Sequence, residues 1–418
     1  MESSLSVYRV GRGEPLLVGA LDRASGGFAY APSYLCEPLA RPISRSLPLG
    51  ARVFSKAEAM PYFEGLVPEG NARRLMAAEL HVREDDYLAM LERCGRECMG
   101  DVLIADKLED VPGGWVPIAS SELARALARP AAMVDLNRAS RLSLAGTQSK
   151  VGLAHRPGTL LDQGWLRPVG RAASTHILKT SARDDISYFE YLCMGAAAEC
   201  GVRAAATELL GFGTPVLCSE RFDRIALEAD GEFAVSRLHQ EDFTQALGLT
   251  SGSKYAELEG GSYAAIARLL AGEAEDPASD LVALVRLACF NYLVGNCDNH
   301  LKNLALVYRE DWMAFSLAPA YDVVCTTWFP DLSREMGMAI GGVRDIDAVG
   351  PMDVLGLATD MRVGKRLVRR VAHELAERID DAVYEVAERS QGDFEELGWK
   401  AEELVRDMEP RRRVLAAV

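Results

Sequence analysis

Gly295-Asn-Cys-Asp-Asn-His-Leu-Lys-Asn-Leu-Ala-Leu-Val-Tyr308 is the segment whose reading decides the fold. An apolar run, Leu281 to Gly295, precedes it and reads as a buried helix. It holds Arg286 and Asn291 and is too short to cross a bilayer. Within the segment, Asp298 and Asn303 are separated by four residues, and Leu304 to Tyr308 then reads as a strand. D-x-x-x-x-N is the spacing of a kinase catalytic loop, where the Asp aligns the acceptor hydroxyl and takes its proton while the Asn holds a metal ion. Transfer of a heavily charged phosphoryl group needs both functions close together.

Across the hairpin that follows, a second carboxylate is required for another metal contact. Asp322, in Pro319-Ala-Tyr-Asp-Val323, stands there, without the Phe-Gly that follows this Asp in ordinary protein kinases. Alone, an Asp at a strand end is usually a capped turn; the ordered set Asp298, Asn303 and Asp322 carries the argument. His300, two residues past Asp298, is the histidine of interest here, with a structural role in fixing the loop as the equal alternative.

Upstream, Lys179 closes the strand-like run Thr175-His-Ile-Leu-Lys, where a kinase places its phosphate-binding lysine. A lone strand-end lysine more often snorkels to solvent. Glu190, on the helix that follows, is a candidate ion-pair partner for it. Leu142-Ser-Leu-Ala-Gly-Thr-Gln-Ser-Lys150 offers Gly146, Thr147, Gln148 and Lys150 as a phosphate cradle, although it is no Walker A loop and a simple turn is the bland alternative.

The bulk numbers fit an ordinary globular protein: 418 residues, 49% hydrophobic and 26% charged. A net charge of -15 argues against an extended basic face for nucleic acid. Local basic clusters, Lys365 to Arg370 and Arg411 to Arg413, read as solvated helix faces. Nine scattered cysteines without a C-x-x-C pair fit reduced thiols, and no secretory leader is visible, so a cytoplasmic location is expected. No H-E-x-x-H, G-x-S-x-G or G-x-G-x-x-G occurs.

Composition and periodicity divide the chain into a mixed α/β segment, 1–110, a β-rich nucleotide-binding segment, 111–250, and a helical catalytic segment, 251–418. The fold class expected is α+β, a two-lobed protein-kinase-like fold with an additional N-terminal domain. Leu160 to Trp165 is expected as a strand, Ser121 to Ala128 as a helix capped by Ser120, and Phe394 to Met408 as the last helix.

These residues resemble the HipA-type serine/threonine kinases, the toxin halves of bacterial HipBA-like toxin–antitoxin systems. The matching blocks are Ser143 to Lys150, Thr175 to Lys179, Ser219-Glu-Arg-Phe-Asp-Arg224, Arg237-Leu-His-Gln-Glu-Asp242, Gly295 to Asn303 and Pro319 to Val323. Phe63 to Glu69 and Gly95 to Gly100 resemble the family's N-terminal domain. The resemblance implies ATP and Mg²⁺ as cofactors, Asp298 as the acceptor-side Asp, Asn303 and Asp322 as metal ligands, and Lys179 on the phosphates. It implies that Glu220 and Phe222 lie at the hinge that holds adenine, and that Ser143 is the loop serine whose autophosphorylation silences the enzyme; Ser149 adds a second candidate hydroxyl. It further implies a small DNA-binding, HipB-like antitoxin as partner, with DNA met only through it, and an aminoacyl-tRNA synthetase, the glutamyl enzyme foremost, as substrate. No membrane partner is expected. Two rivals remain at this point: a non-catalytic, antitoxin-binding transcriptional co-regulator, and a small-molecule kinase of similar build.

Overall fold

The computed structural model describes residues 4–11, 14–106, 113–140, 144, 149–181, 183–229, 232–390 and 392–418. The chain divides into two compact units, neither continuous in sequence. The first comprises Met1–Ala182, Leu210–Ser253 and Val307–Met313; the second comprises Arg183–Leu209, Lys254–Leu306 and Ala314–Val418. These units interleave across the contiguous segments suggested by composition.

In the first unit a five-stranded antiparallel sheet runs in the order Val53–Phe54, Phe28–Tyr30, Leu16–Asp22, Ser4–Arg9, Val102–Ala105. Its alternating side chains place Leu5, Val7, Phe28 and Tyr30 in the core. The ring of Phe63, from the helix Lys56–Glu64, lies 5.2 Å from that of Phe28. That helix starts with a capping box between Ser55 and Glu58.

A second sheet in this unit carries Pro215–Glu220, His176–Thr180, Ser149–His155, Trp165–Val169 and Gly114–Pro117 in that order. Its apolar face (Val151, Leu153, Leu178, Val216) packs with Leu123, Leu127 and Met133 from the helices Ser120–Leu127 and Pro130–Ala139. Two expectations change here. The strand begins at Trp165 instead of ending there, because 156–164 is a turn whose Leu160 and Gln163 carbonyls meet the His155 ring at 3.0 and 2.9 Å. Ser120 is the first residue of its helix rather than its cap; its hydroxyl donates to the Asp162 carbonyl at 3.2 Å.

Buried charge ties the N-terminal segment to this sheet. The Arg221 guanidinium grips Asp223 with two bonds of 2.9 and 2.8 Å and donates to Ser174 Oγ and to Glu97 at 3.0 and 3.3 Å. Arg224 donates to the Gly100 and Cys98 carbonyls, 2.9 Å each. The side chains of Glu97, Arg221, Asp223 and Arg224 are each 1% exposed. Burial opposes ionisation of Asp223, but Arg221 and Arg224 outweigh it and hold the carboxyl well below its ordinary range.

The second unit is mainly helical. Lys365–Ser390 buries Val368, Val371, Ala372, Leu375, Ala376, Ile379, Ala382, Val383, Val386 and Ala387, the stripe of an amphipathic helix. It packs against Asp184–Glu199, Pro277–Leu293 and Leu397–Ala416. The last helix runs beyond the expected end at Met408, through Pro410. Arg411 is buried there and bonded both to Asp407 and to the Leu293 carbonyl. A small antiparallel pair, Glu335–Ile340 with Val343–Asp345, accompanies the helices. Among the described residues no helix is long and apolar enough to cross a membrane.

Candidate active site

The helix Pro277–Leu293 aims the chain into the loop that carries Asp298. Asp276 caps its start, accepting from the Ser279 N–H at 3.0 Å, and Pro277 occupies the first turn. At its end Gly295 takes φ +75° and turns the backbone sharply. The Gly295 carbonyl accepts from the Thr326 and Thr327 N–H groups at 3.0 and 3.2 Å, and Thr326 Oγ1 accepts from the Cys297 N–H at 2.8 Å. A Cβ at position 295 would stand 2.0 Å from Thr327 Oγ1 and 2.8 Å from Arg411 Nη2. Gly295→Ala is therefore expected to destabilise the second unit by about 2–4 kcal/mol, combining left-handed strain with overpacking. Chemical denaturation would check this, and a midpoint unchanged from wild type would contradict it.

Beyond Gly295 the loop is held by its own side chains. Asn296 Nδ2 donates to Asn291 Oδ1 at 2.7 Å, and Asn296 Oδ1 accepts from the Asp298 N–H at 3.2 Å. Asn303, at the end of the turn Leu301–Asn303, donates from Nδ2 to the Asp298 carbonyl at 2.9 Å. Asp298 and Asn303 are thus brought together, and the amide's oxygen faces away from the bond its nitrogen makes. The Asp298 side chain is 52% exposed, whereas that of His300 is 5% exposed, with Nε2 3.8 Å from Asp298 Oδ1. Tyr255, which the sequence reading passed over, donates its phenol to Asp298 Oδ1.

Asp322 reaches the same neighbourhood through the hairpin. Ala318 N–H donates to the Ala305 carbonyl at 2.8 Å, and the Tyr321 hydroxyl donates to the Lys302 carbonyl at 2.7 Å. The residues flanking Asp322 and Asn303 are therefore joined. Ala320 is pinned from the other side by Arg203 and Ala205, at 2.7 and 2.9 Å. Asp322 has φ +54°, uncommon for a residue with a side chain and a feature that collects at functional sites.

In the first unit, Lys179 lies opposite Lys150 in the antiparallel register of His176–Thr180 with Ser149–His155. Directly opposed residues share a face of the sheet, and two like charges there are unfavourable unless anionic groups lie beside them. Glu220 ends its strand opposite His176 and is exposed, and Phe222 is half-buried. Glu190 is buried on the helix Asp184–Glu199. Ser143, Gly146, Thr147 and Gln148 lie outside the described residues, as does the side chain of Ser149.

Comparison with known proteins gives the family. A model of the HipA-like C-terminal domain matches residues 142–383, and one of the HipA N-terminal domain matches residues 14–105. The chain belongs to the HipA family of serine/threonine kinases. One relative, named "Putative kinase Y4mE", from Sinorhizobium fredii, is 36% identical over 379 residues, 87% of each chain. Another, the serine/threonine-protein kinase toxin HipA of Shewanella oneidensis, is 27% identical over 389 residues, again 87% of each. A solved structure from Shewanella oneidensis MR-1, of HipA with HipB and operator DNA, superposes with a TM-score of 0.81 at 22% identity, covering 99% of both chains. The HipA-family fold is α+β and kinase-like, with two lobes.

Proposed function

We propose that this HipA-family chain is an ATP- and Mg²⁺-dependent serine/threonine protein kinase, the toxin of a cytoplasmic toxin–antitoxin pair. The observation that carries the reading is the construction around Asp298: an exposed carboxylate whose backbone is fixed on both sides, by Asn296 and by Asn303. Asp298 accepts a hydrogen bond from the acceptor hydroxyl and takes its proton as the acceptor O–P bond forms and the bond from the γ-phosphorus to the bridging oxygen of ATP breaks, with ADP leaving. Lys179 and Lys150 bind phosphate oxygens, and Glu220 and Phe222 border the adenine.

The residues fit magnesium. Asn303 Oδ1 and the Asp322 carboxylate are hard oxygen donors, and Mg²⁺ commonly takes one or two carboxylates together with substrate phosphates and water. Among the described residues no group of three or more His, Cys, Asp or Glu side chains could hold a metal alone, which such a shared site does not require. When bound, the ion supplies charge neutralisation to the triphosphate.

Ser143 is proposed as the autophosphorylated, silencing hydroxyl, and His300 as a brace for the loop beside the phosphates. A small HipB-like DNA-binding antitoxin is the proposed partner, with DNA met through it. An aminoacyl-tRNA synthetase, glutamyl type favoured, is the proposed substrate. Residues 111–250 form the nucleotide-binding lobe in this reading, 251–418 the catalytic lobe, and 1–110 the N-terminal domain. Incubation with Mg²⁺ and γ-labelled ATP tests the proposal. Self-labelling that maps to the peptide containing Ser143 and disappears with EDTA is expected; no labelling, or labelling indifferent to the chelator, would contradict it.

A further inference from the structure

We propose that Tyr255 is a positioning residue for Asp298: its phenol holds one carboxylate oxygen so that the other meets the acceptor hydroxyl. This rests on the reading of Asp298 given above. The side chain of Asp298 is half exposed and would otherwise sample several rotamers, a disadvantage for a group that must align a nucleophile. Its backbone bonds to Asn296 and Asn303 fix the loop but leave χ1 and χ2 free to rotate. Tyr255 supplies the missing restraint by donating to Oδ1, on the side where His300 Nε2 lies at 3.8 Å. Oδ2 is left for the substrate.

The donor is itself anchored. The Tyr255 carbonyl accepts from Arg344 Nη1 and Nη2, each at 3.3 Å. The same guanidinium donates to the Gly337 carbonyl at 3.0 Å and the Met336 carbonyl at 3.2 Å. The neighbouring Lys254 carbonyl accepts from the Leu301 N–H at 3.4 Å, tying this segment to the catalytic loop. The Tyr255 ring meets the His300 ring nearly edge-on, with centroids 5.0 Å apart and planes at 78°. A phenol so placed is a fixed donor, although the residue is 43% exposed and fills no core. Exposure of that degree in a ring that contributes little to packing favours a role for its hydroxyl.

The test compares Tyr255→Phe, Asp298→Asn and the double variant, using self-labelling rates measured across ATP concentrations. Tyr255→Phe keeps the ring and its contact with His300. It is expected to lower the limiting rate by about 10- to 100-fold, the effect of losing a hydrogen bond to a charged group. The ATP concentration giving half the limiting rate, and the thermal midpoint, should stay at wild-type values. In the Asp298→Asn background the Tyr255→Phe change should add nothing, because it acts through the carboxylate. A limiting rate equal to or above wild type in Tyr255→Phe, with Asp298→Asn inactive, would overturn the assignment of Tyr255 alone. Activity retained by Asp298→Asn would instead remove the reading on which it stands.

Discussion

Asp298→Asn is expected to reduce phosphoryl transfer by about 10²- to 10⁴-fold, the usual contribution of a positioned general base. The amide keeps the size of the carboxylate and can still accept the Tyr255 phenol at Oδ1. The backbone bonds to Asn296 and Asn303 do not involve the altered group. What disappears is the capacity to take a proton from the acceptor. An exposed, isosteric change of this kind leaves stability within about 0.5 kcal/mol of wild type. The thermal midpoint and the affinity for Mg-ATP should therefore hold while γ-phosphate incorporation collapses. Labelling near the wild-type rate would show that another group serves as the base.

The second large effect is on stability and comes from a region remote in sequence from Asp298. Arg221→Met is expected to destabilise the first unit by about 3–5 kcal/mol, the cost of removing one member of a buried charge network. Arg221 contributes both bonds of a fork to Asp223 and also donates to Ser174 Oγ, so one substitution removes several buried bonds at once. Asp223 keeps Arg224 Nη1 at 2.8 Å, the Gly100 N–H at 2.7 Å and Gln240 Nε2 at 3.0 Å, which replace only part of what Arg221 supplies. The pH dependence carries the same signature. A carboxyl held below its unfolded value stabilises the fold above about pH 4 and loses that contribution as pH falls toward the depressed value. The variant, having lost Arg221's share of that contribution, should show a shallower acid limb. Urea titration at several pH values would check both; a midpoint within error of wild type would contradict the account.

The parts of the site that sequence reveals are those fixed by local backbone geometry. Asp298 and Asn303 are separated by a spacing that a single turn imposes, and the Asn303 bond to the Asp298 carbonyl is that turn's closure. The segment that carries Asp322 was placed beside the loop in the sequence because a short hairpin returns the chain by a predictable length, and the Tyr321 bond to the Lys302 carbonyl joins the two. Tyr255 was not, since an isolated tyrosine carries no spacing and its meeting with Asp298 spans 43 residues. The buried cluster of Glu97, Arg221, Asp223 and Arg224 escaped for a different reason. Charged side chains are rarely buried unless paired, and here Glu97 joins Arg221 and Arg224 from a segment more than a hundred residues away. Leu160 and Leu161 suggested a strand by their hydropathy, but Gly164, at φ +77°, closes a turn around the His155 ring. Met408 seemed a natural helix end before Pro410; a buried Arg411 bonded to Asp407 carries the helix past it.

A crystal structure of the protein with Mg²⁺ and a non-hydrolysable ATP analogue tests the central claim most directly. The account predicts an ion bound by the Asp322 carboxylate and Asn303 Oδ1, phosphate oxygens on Lys179, and Asp298 free of metal and facing the γ-phosphate. A nucleotide seated away from these side chains, or an ion that ignores Asp322 and Asn303, would contradict it.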